Sequence, residues 1–115
     1  MEINLKVDES MKDIVVFPDS EIGIKIGFTS DKFLGYLCVK GDSVVISLIK
    51  SLNQGKGNVR SLIEGLKSKY RNVIVPIASD RLSKILILQG FVVKKWMYDD
   101  GSSIDSWVFT NEDIV

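Results

Sequence analysis

An apolar run at residues 43–49, Ser-Val-Val-Ile-Ser-Leu-Ile, gives way to a short loop and then, without further delay, to an amphipathic helix. The loop reads Gln54-Gly55-Lys56-Gly57-Asn58-Val59, and beyond it Val59, Leu62, Ile63, Leu66 and Tyr70 recur at helical spacing. One stripe of that helix is therefore apolar and must pack on something. Parallel pairing is expected to enter the sheet through the two helical connections, of which this is the first. The same junction has a chemical consequence. First-turn N–H groups of a helix have no partner within the helix, and the macrodipole adds positive potential there. Glycines in the approach remove the Cβ atoms that would keep a phosphate away from the backbone. Strand, glycine loop and helix start together make a candidate anion site.

The rest of the chain extends the pattern. Residues 72–77, Asn-Val-Ile-Val-Pro-Ile, are β-branched and suit a buried strand. Ser79 or Asp80 offers a helix N-cap, Leu82, Ile85, Leu86 and Gln89 continue at helical spacing, and Gly90 stands where a left-handed C-terminal residue is wanted. Ahead of the first run, the expectation is consecutive antiparallel strands. Residues 2–7 alternate Ile3, Leu5 and Val7 with polar residues, 14–17 form a short apolar run stopped by Pro18, and 22–28 alternate Ile22, Ile24, Ile26 and Phe28. Residues 33–40 follow, with Gly41-Asp42 turning into 43–49. At the far end, 92–98 and 106–110 flank Asp99-Asp100-Gly101-Ser102, a hairpin signal. The layout is α+β: a mixed, mostly antiparallel sheet with two main helices and a C-terminal hairpin, within a single domain over 1–115.

Composition narrows the chemistry. A chain of 115 residues that is 45% hydrophobic and 26% charged is that of a globular domain with room for a two-layer core. No apolar stretch approaches the ~20 residues needed to span a bilayer. The start, Met1-Glu2-Ile3-Asn4, lacks a signal-peptide layout, and a lone Cys38 suits a reducing compartment. The expected location is the cytoplasm. With no histidine and one cysteine, Ser-His-Asp and Cys-His catalysis and a structural zinc site are excluded. No metal is expected. Neither the Walker A loop nor the three-glycine dinucleotide fingerprint is present. Lys50, Lys56, Arg60, Lys67, Lys69 and Arg71 cluster against Glu64 alone, while Asp99, Asp100, Asp105, Glu112 and Asp113 gather at the end. Net charge is zero and Tyr70 is the only aromatic in the basic stretch, which argues against a nucleic-acid partner.

At the glycine loop the chain resembles the GCN5-related N-acetyltransferases. Gln54-x-x-Gly57-x-Val59 is similar to the family's pyrophosphate loop, Arg/Gln-x-x-Gly-x-Gly/Ala, with Val59 where Gly or Ala is usual. The second helix ends on Gly90-Phe91 as the family's does, with Ser79 at the pattern's Asn, Leu82 at its Ala and Leu86 at its Tyr. The likeness covers about 22–110 and is specific at these two places. It implies acetyl-coenzyme A as cosubstrate, held by Leu48, Ile49, Gln54, Gly55, Lys56, Gly57, Asn58, Val59 and Arg60. The diphosphate would lie on the loop and helix amides, and the pantetheine arm would pair with strand backbone near Leu48 and Ile49.

The implied activity is transfer of an acetyl group to an amine, on a small molecule or on a protein lysine or N-terminus, with no membrane involved and a homodimer left open. The proton-handling groups depart from the family. Leu86 stands at the usual Tyr, and the strand before the loop offers Asp42, Ser43 and Ser47 rather than a Glu. Ser79 and Ser83, one turn apart, are the catalytic candidates, each also explicable as a cap or a polar face. The alternative is a non-catalytic binding or assembly module of the same fold. The helices usual between the family's first two strands have little room in residues 8–12, which implies a minimal version with an open acceptor side.

Overall fold

The computed structural model describes residues 13–53, 55–98 and 100–114. The expected strand at 2–7 and turn at 8–12 lie outside them. The order is β1 (Asp13–Val16), α1 (Glu21–Ile26), β2 (Phe33–Lys40), β3 (Ser43–Ser51), α2 (Asn58–Lys69), β4 (Asn72–Val75), α3 (Asp80–Leu88), β5 (Val92–Met97) and β6 (Ser103–Thr110). The fold is α+β, with one six-stranded sheet ordered β1-β2-β3-β4-β6-β5. Every pairing is antiparallel except β3 with β4, the pair joined through α2. The connection through α3 carries the chain past β6 to the outer strand β5, and the hairpin brings it back inside.

Leu37, Val39, Val44, Ile46, Val73 and Val75 alternate onto one face and pack against Leu62, Ile63 and Leu66 of α2, Leu86 of α3 and Ile26 of α1. All three helices thus contribute to one core. The helix stripe read from Leu62, Ile63, Leu66 and Tyr70 is the buried stripe. Ser79 caps α3, its hydroxyl accepting from the Leu82 amide at 3.2 Å, and Gly90 takes φ +88° just past its end. Lys67 reaches from α2 to donate to the Gln89 carbonyl at 2.6 Å, its ammonium 4.3 Å from the Phe109 ring centre. That bridge ties the C-terminal ends of α2 and α3 together and so sets how far apart their other ends stand. Leu86 is wholly buried in this core. Leu86→Ala is expected to cost about 2–5 kcal/mol by chemical denaturation.

Residues 22–28 are not a strand. They form α1 and its exit, which corrects the reading of their alternation. Ile22 and Ile26 are also four apart and so share one helix face, while Ile24 lies off it and is 60% exposed. Local bonding decides it: Ser20 accepts from the Gly23 amide at 3.0 Å, and Gly27 closes the helix at φ +83°. The following turn is held by Asp19, whose carboxylate accepts from the Ser30 hydroxyl and from the Ser30 amide. Those two bonds, the hydroxyl first, hold the Asp19 carboxyl below its ordinary range. A depressed carboxyl contributes stability above its unfolded pKa and loses it as pH falls through the folded value. Asp19→Asn should therefore flatten the acid limb of a melting-temperature profile below about pH 4.

Candidate functional site

β3 is the longest of the described strands, and among the described residues only its first part has a neighbour on the β4 side. The parallel ladder pairs Ser43 with Asn72, Val44 with Val73 and Val45 with Ile74, and stops there. β3 runs on to Ser51, leaving the edge from Ile46 onward without a strand partner among the described residues. The β2 side is irregular at the same place. Leu37 faces Ile46 but Tyr36 faces Leu48, so Ser47 is an extra residue, a bulge that bends the strand. A parallel pair that separates toward its carboxyl ends opens a crevice, which is where α/β sheets take ligands. An unpaired strand edge in that crevice offers N–H and C=O groups to an amide-bearing ligand.

The loop leaving β3 is anchored by the Leu52 amide donating to the Lys32 carbonyl at 2.8 Å and by Asn53 donating to the Asp31 carbonyl at 3.3 Å. Gly55 and Gly57 then adopt φ +85° and +77°. Space beside both is open, with no atom within 4 Å of where a Cβ would stand. Gly57 is the N-cap of α2 and supplies no side-chain cap, and the first helical bond is Ser61 N–H to Gly57 O at 3.0 Å. The amides of Asn58, Val59 and Arg60 precede that bond and face outward from the helix start.

A cavity of about 520 Å³ joins these parts, within the usual range for small-molecule sites. Its walls are Ile49, Lys50 and Ser51 of β3, Asn53, Gly55 and Gly57 of the loop, Asn58, Val59 and Arg60 of α2, and Ser79, Arg81, Leu82, Lys84 and Ile85 of α3. Of the residues expected from the sequence, Ile49, Gly55, Gly57, Asn58, Val59, Arg60 and Ser79 therefore come together. Leu48 is 58% exposed beside the bulge, and Lys56 is exposed on the loop; neither lines the cavity. Ser83 does not line it either, and its amide donates to the Ser79 carbonyl at 2.8 Å. Gln54 lies outside the described residues. The sequence reading missed Lys50, Arg81 and Lys84. The spacing of Arg81 and Lys84 puts both on one face of α3, but nothing in the sequence says that this face meets the loop after β3.

The lining is chemically one-sided. Among the described residues it holds four cations and no carboxylate, phenol or thiol. Such a surface attracts a polyanion but contains no ordinary general base. The Ser79 hydroxyl is engaged as the α3 cap, accepting from Leu82, and can still donate. No cluster of His, Cys, Asp and Glu able to hold a metal occurs among the described residues. No helix among them is long and apolar enough to cross a membrane. Searches of protein-family models and of curated proteins find nothing that matches the chain.

Proposed function

We propose that the chain binds acetyl-coenzyme A in this cavity and transfers the acetyl group to an amine, as a small divergent relative of the GCN5-related N-acetyltransferases. One observation carries the reading: the open edge of β3 leads directly to the uncapped start of α2, inside a single cavity whose charged side chains, among the described residues, are all basic. A diphosphate suits the amides of Asn58, Val59 and Arg60, with Arg60 beside it. An extended pantetheine arm, which carries two amides, suits the strand edge near Ile49. The adjacent divergence of β3 from β4 leaves a gap through which an amine can approach a thioester lying along that edge.

In such a transfer the amine nitrogen forms the bond to the acetyl carbon, the carbon–sulfur bond breaks, and the amine gives up one proton. This chain's own contribution is placement and fixed dipoles, both able to carry much of the rate. Coenzyme A departs as a thiolate with a pKa of roughly 8–9, so protonation by solvent suffices near neutral pH. Leu86, at the position of the family's usual Tyr, is core and does not reach the cavity. Turnover is accordingly expected to be slow, since one missing acid–base partner costs on the order of 10²–10⁴ in rate.

The same facts favour a second reading, a binding module without chemistry, because no lining side chain among those described is an evident base. Release of free thiol from acetyl-coenzyme A, measured across small amines, polyamines and lysine peptides, separates the two. Amine-dependent release supports the enzyme. Tight binding with no turnover across the panel supports the module, and no binding at millimolar ligand removes both.

A further inference from the structure

β5 ends the sheet on the side away from β1, and β6 is its one strand neighbour among the described residues. The hairpin fixes which of its backbone groups face outward. The Tyr98 amide donates to the Ser102 carbonyl at 2.8 Å, and bonded pairs alternate with unbonded ones along an antiparallel ladder. Val92, Lys94 and Trp96 accordingly bond to β6, while the N–H and C=O groups of Val93, Lys95 and Met97 point away from the sheet. The register to β6 runs without a bulge from Val92 to Met97, and no proline interrupts it. Val92, Val93 and Met97 are each more than half exposed. A regular, apolar free edge of this kind is a template for another strand.

The edge is complementary to itself. In an antiparallel copy that meets all three outward residues, Val93 faces Met97 and Lys95 faces its own counterpart. Sliding the copy two residues either way, to the next register with bonded pairs, leaves Met97 or Val93 without a partner strand residue. Lysines on an edge usually keep strands apart, but here each is matched. Lys95 pairs with Asp105 on β6 at 3.5 Å, so the two that meet on the axis bring their own carboxylates. Lys94 faces Trp96 of the copy, on the side of the sheet opposite Trp107 and the helices, where an ammonium over an indole is favourable.

We propose that the free edge of β5 pairs with β5 of a second copy, antiparallel and centred on Lys95, so that two six-stranded sheets run on as one. The pairing is two-fold symmetric, closes at the dimer and needs no ligand. The test is sedimentation of the full chain from micromolar to near-millimolar concentration, with amide exchange followed at both ends of the range. The mass should double and rise no further, and exchange at Val93, Lys95 and Met97 should slow by about tenfold or more, beyond any change at Lys94 and Trp96. Lys95→Pro removes an N–H that β6 does not use, so the hairpin should persist and the dimer be lost. Should that variant misfold, Val93→Lys must still weaken dimerisation about tenfold, because each dimer carries the new charge twice. A chain that stays monomeric throughout, assembles beyond the dimer, or dimerises with those three amides unprotected overturns the proposal. So does a dimer that survives a folded Lys95→Pro or is untouched by Val93→Lys.

Discussion

With coenzyme A bound as proposed above, replacing Gly57 with aspartate should abolish that binding while the protein stays folded. The fold tolerates the change because nothing lies within 4 Å of the new Cβ. The backbone there sits at φ +77°, and aspartate is among the few residues that enter this region readily, at a cost of about 1–2 kcal/mol. Part of that is returned, since a carboxylate near a helix start suits the helix dipole. Binding fails because the new carboxylate stands beside the amides of residues 58–60 that the diphosphate would use, and two unit charges 4 Å apart repel by on the order of 4 kcal/mol near a protein surface. That is close to a thousandfold in affinity. In a melt with ligand at 100 times its Kd, the unaltered chain should gain about 2.7 kcal/mol and the variant nothing. Gly57→Ala, which brings strain without charge, should keep part of the binding. A Gly57→Asp variant that bound as well as the parent would mean the α2 N-terminus is not the phosphate site.

Where local rules and tertiary demands agreed, the sequence was legible. The spacing of Leu62, Ile63, Leu66 and Tyr70, the Ser79 cap and the Gly90 exit each name one conformation, and the surrounding packing asks for the same one. Ile22 and Ile26 satisfied both the strand and the helix period, and the Ser20 cap and Gly27 exit chose the helix. Those two signals were in the sequence and outweigh an alternation of three residues. The bulge at Ser47 had no such signal, because it is a property of pairing with β2 and Ser47 alone reads as one more strand residue. Arg81 and Lys84 were illegible as site residues for a similar reason. Only the crossover through α2 and α3 brings their wall opposite the loop after β3. Leu86, by contrast, was legible: it continues the helical stripe with Leu82 and Ile85, and it is wholly buried in the core.

Gly35→Ala is expected to be the most damaging single-methyl change in the chain. Gly35 pairs with Ile49, one step from the bulge, at φ +119°, where side chains are strained whatever the space. There is also no space. A Cβ on Gly35 would stand 2.0 Å from the Leu48 carbonyl oxygen, 2.7 Å from its carbon and 3.1 Å from the Ile49 Cα. These are backbone atoms, so no rotamer change relieves the contact, and β3 must move away from β2 over Leu48 and Ile49. Backbone strain and overpacking together put the cost on the order of 2–6 kcal/mol. Against a typical total of about 5–15 kcal/mol this is severe, and at roughly 4–8 °C per kcal/mol the melting temperature should drop by about 10 °C or more. The same shift has a functional reading, because Ile49 belongs to the cavity wall and to the open strand edge. Any protein that remains folded at low temperature should therefore bind coenzyme A more weakly although no residue facing the phosphates has changed. Gly55→Ala provides the control, since that glycine also has positive φ but open space around it, and it should cost only the strain of about 1 kcal/mol. If the Gly35 and Gly55 variants proved equally stable, the close approach of Leu48 to Gly35 would not exist in solution, and the bend that aims the end of β3 at the cavity would lose its physical basis.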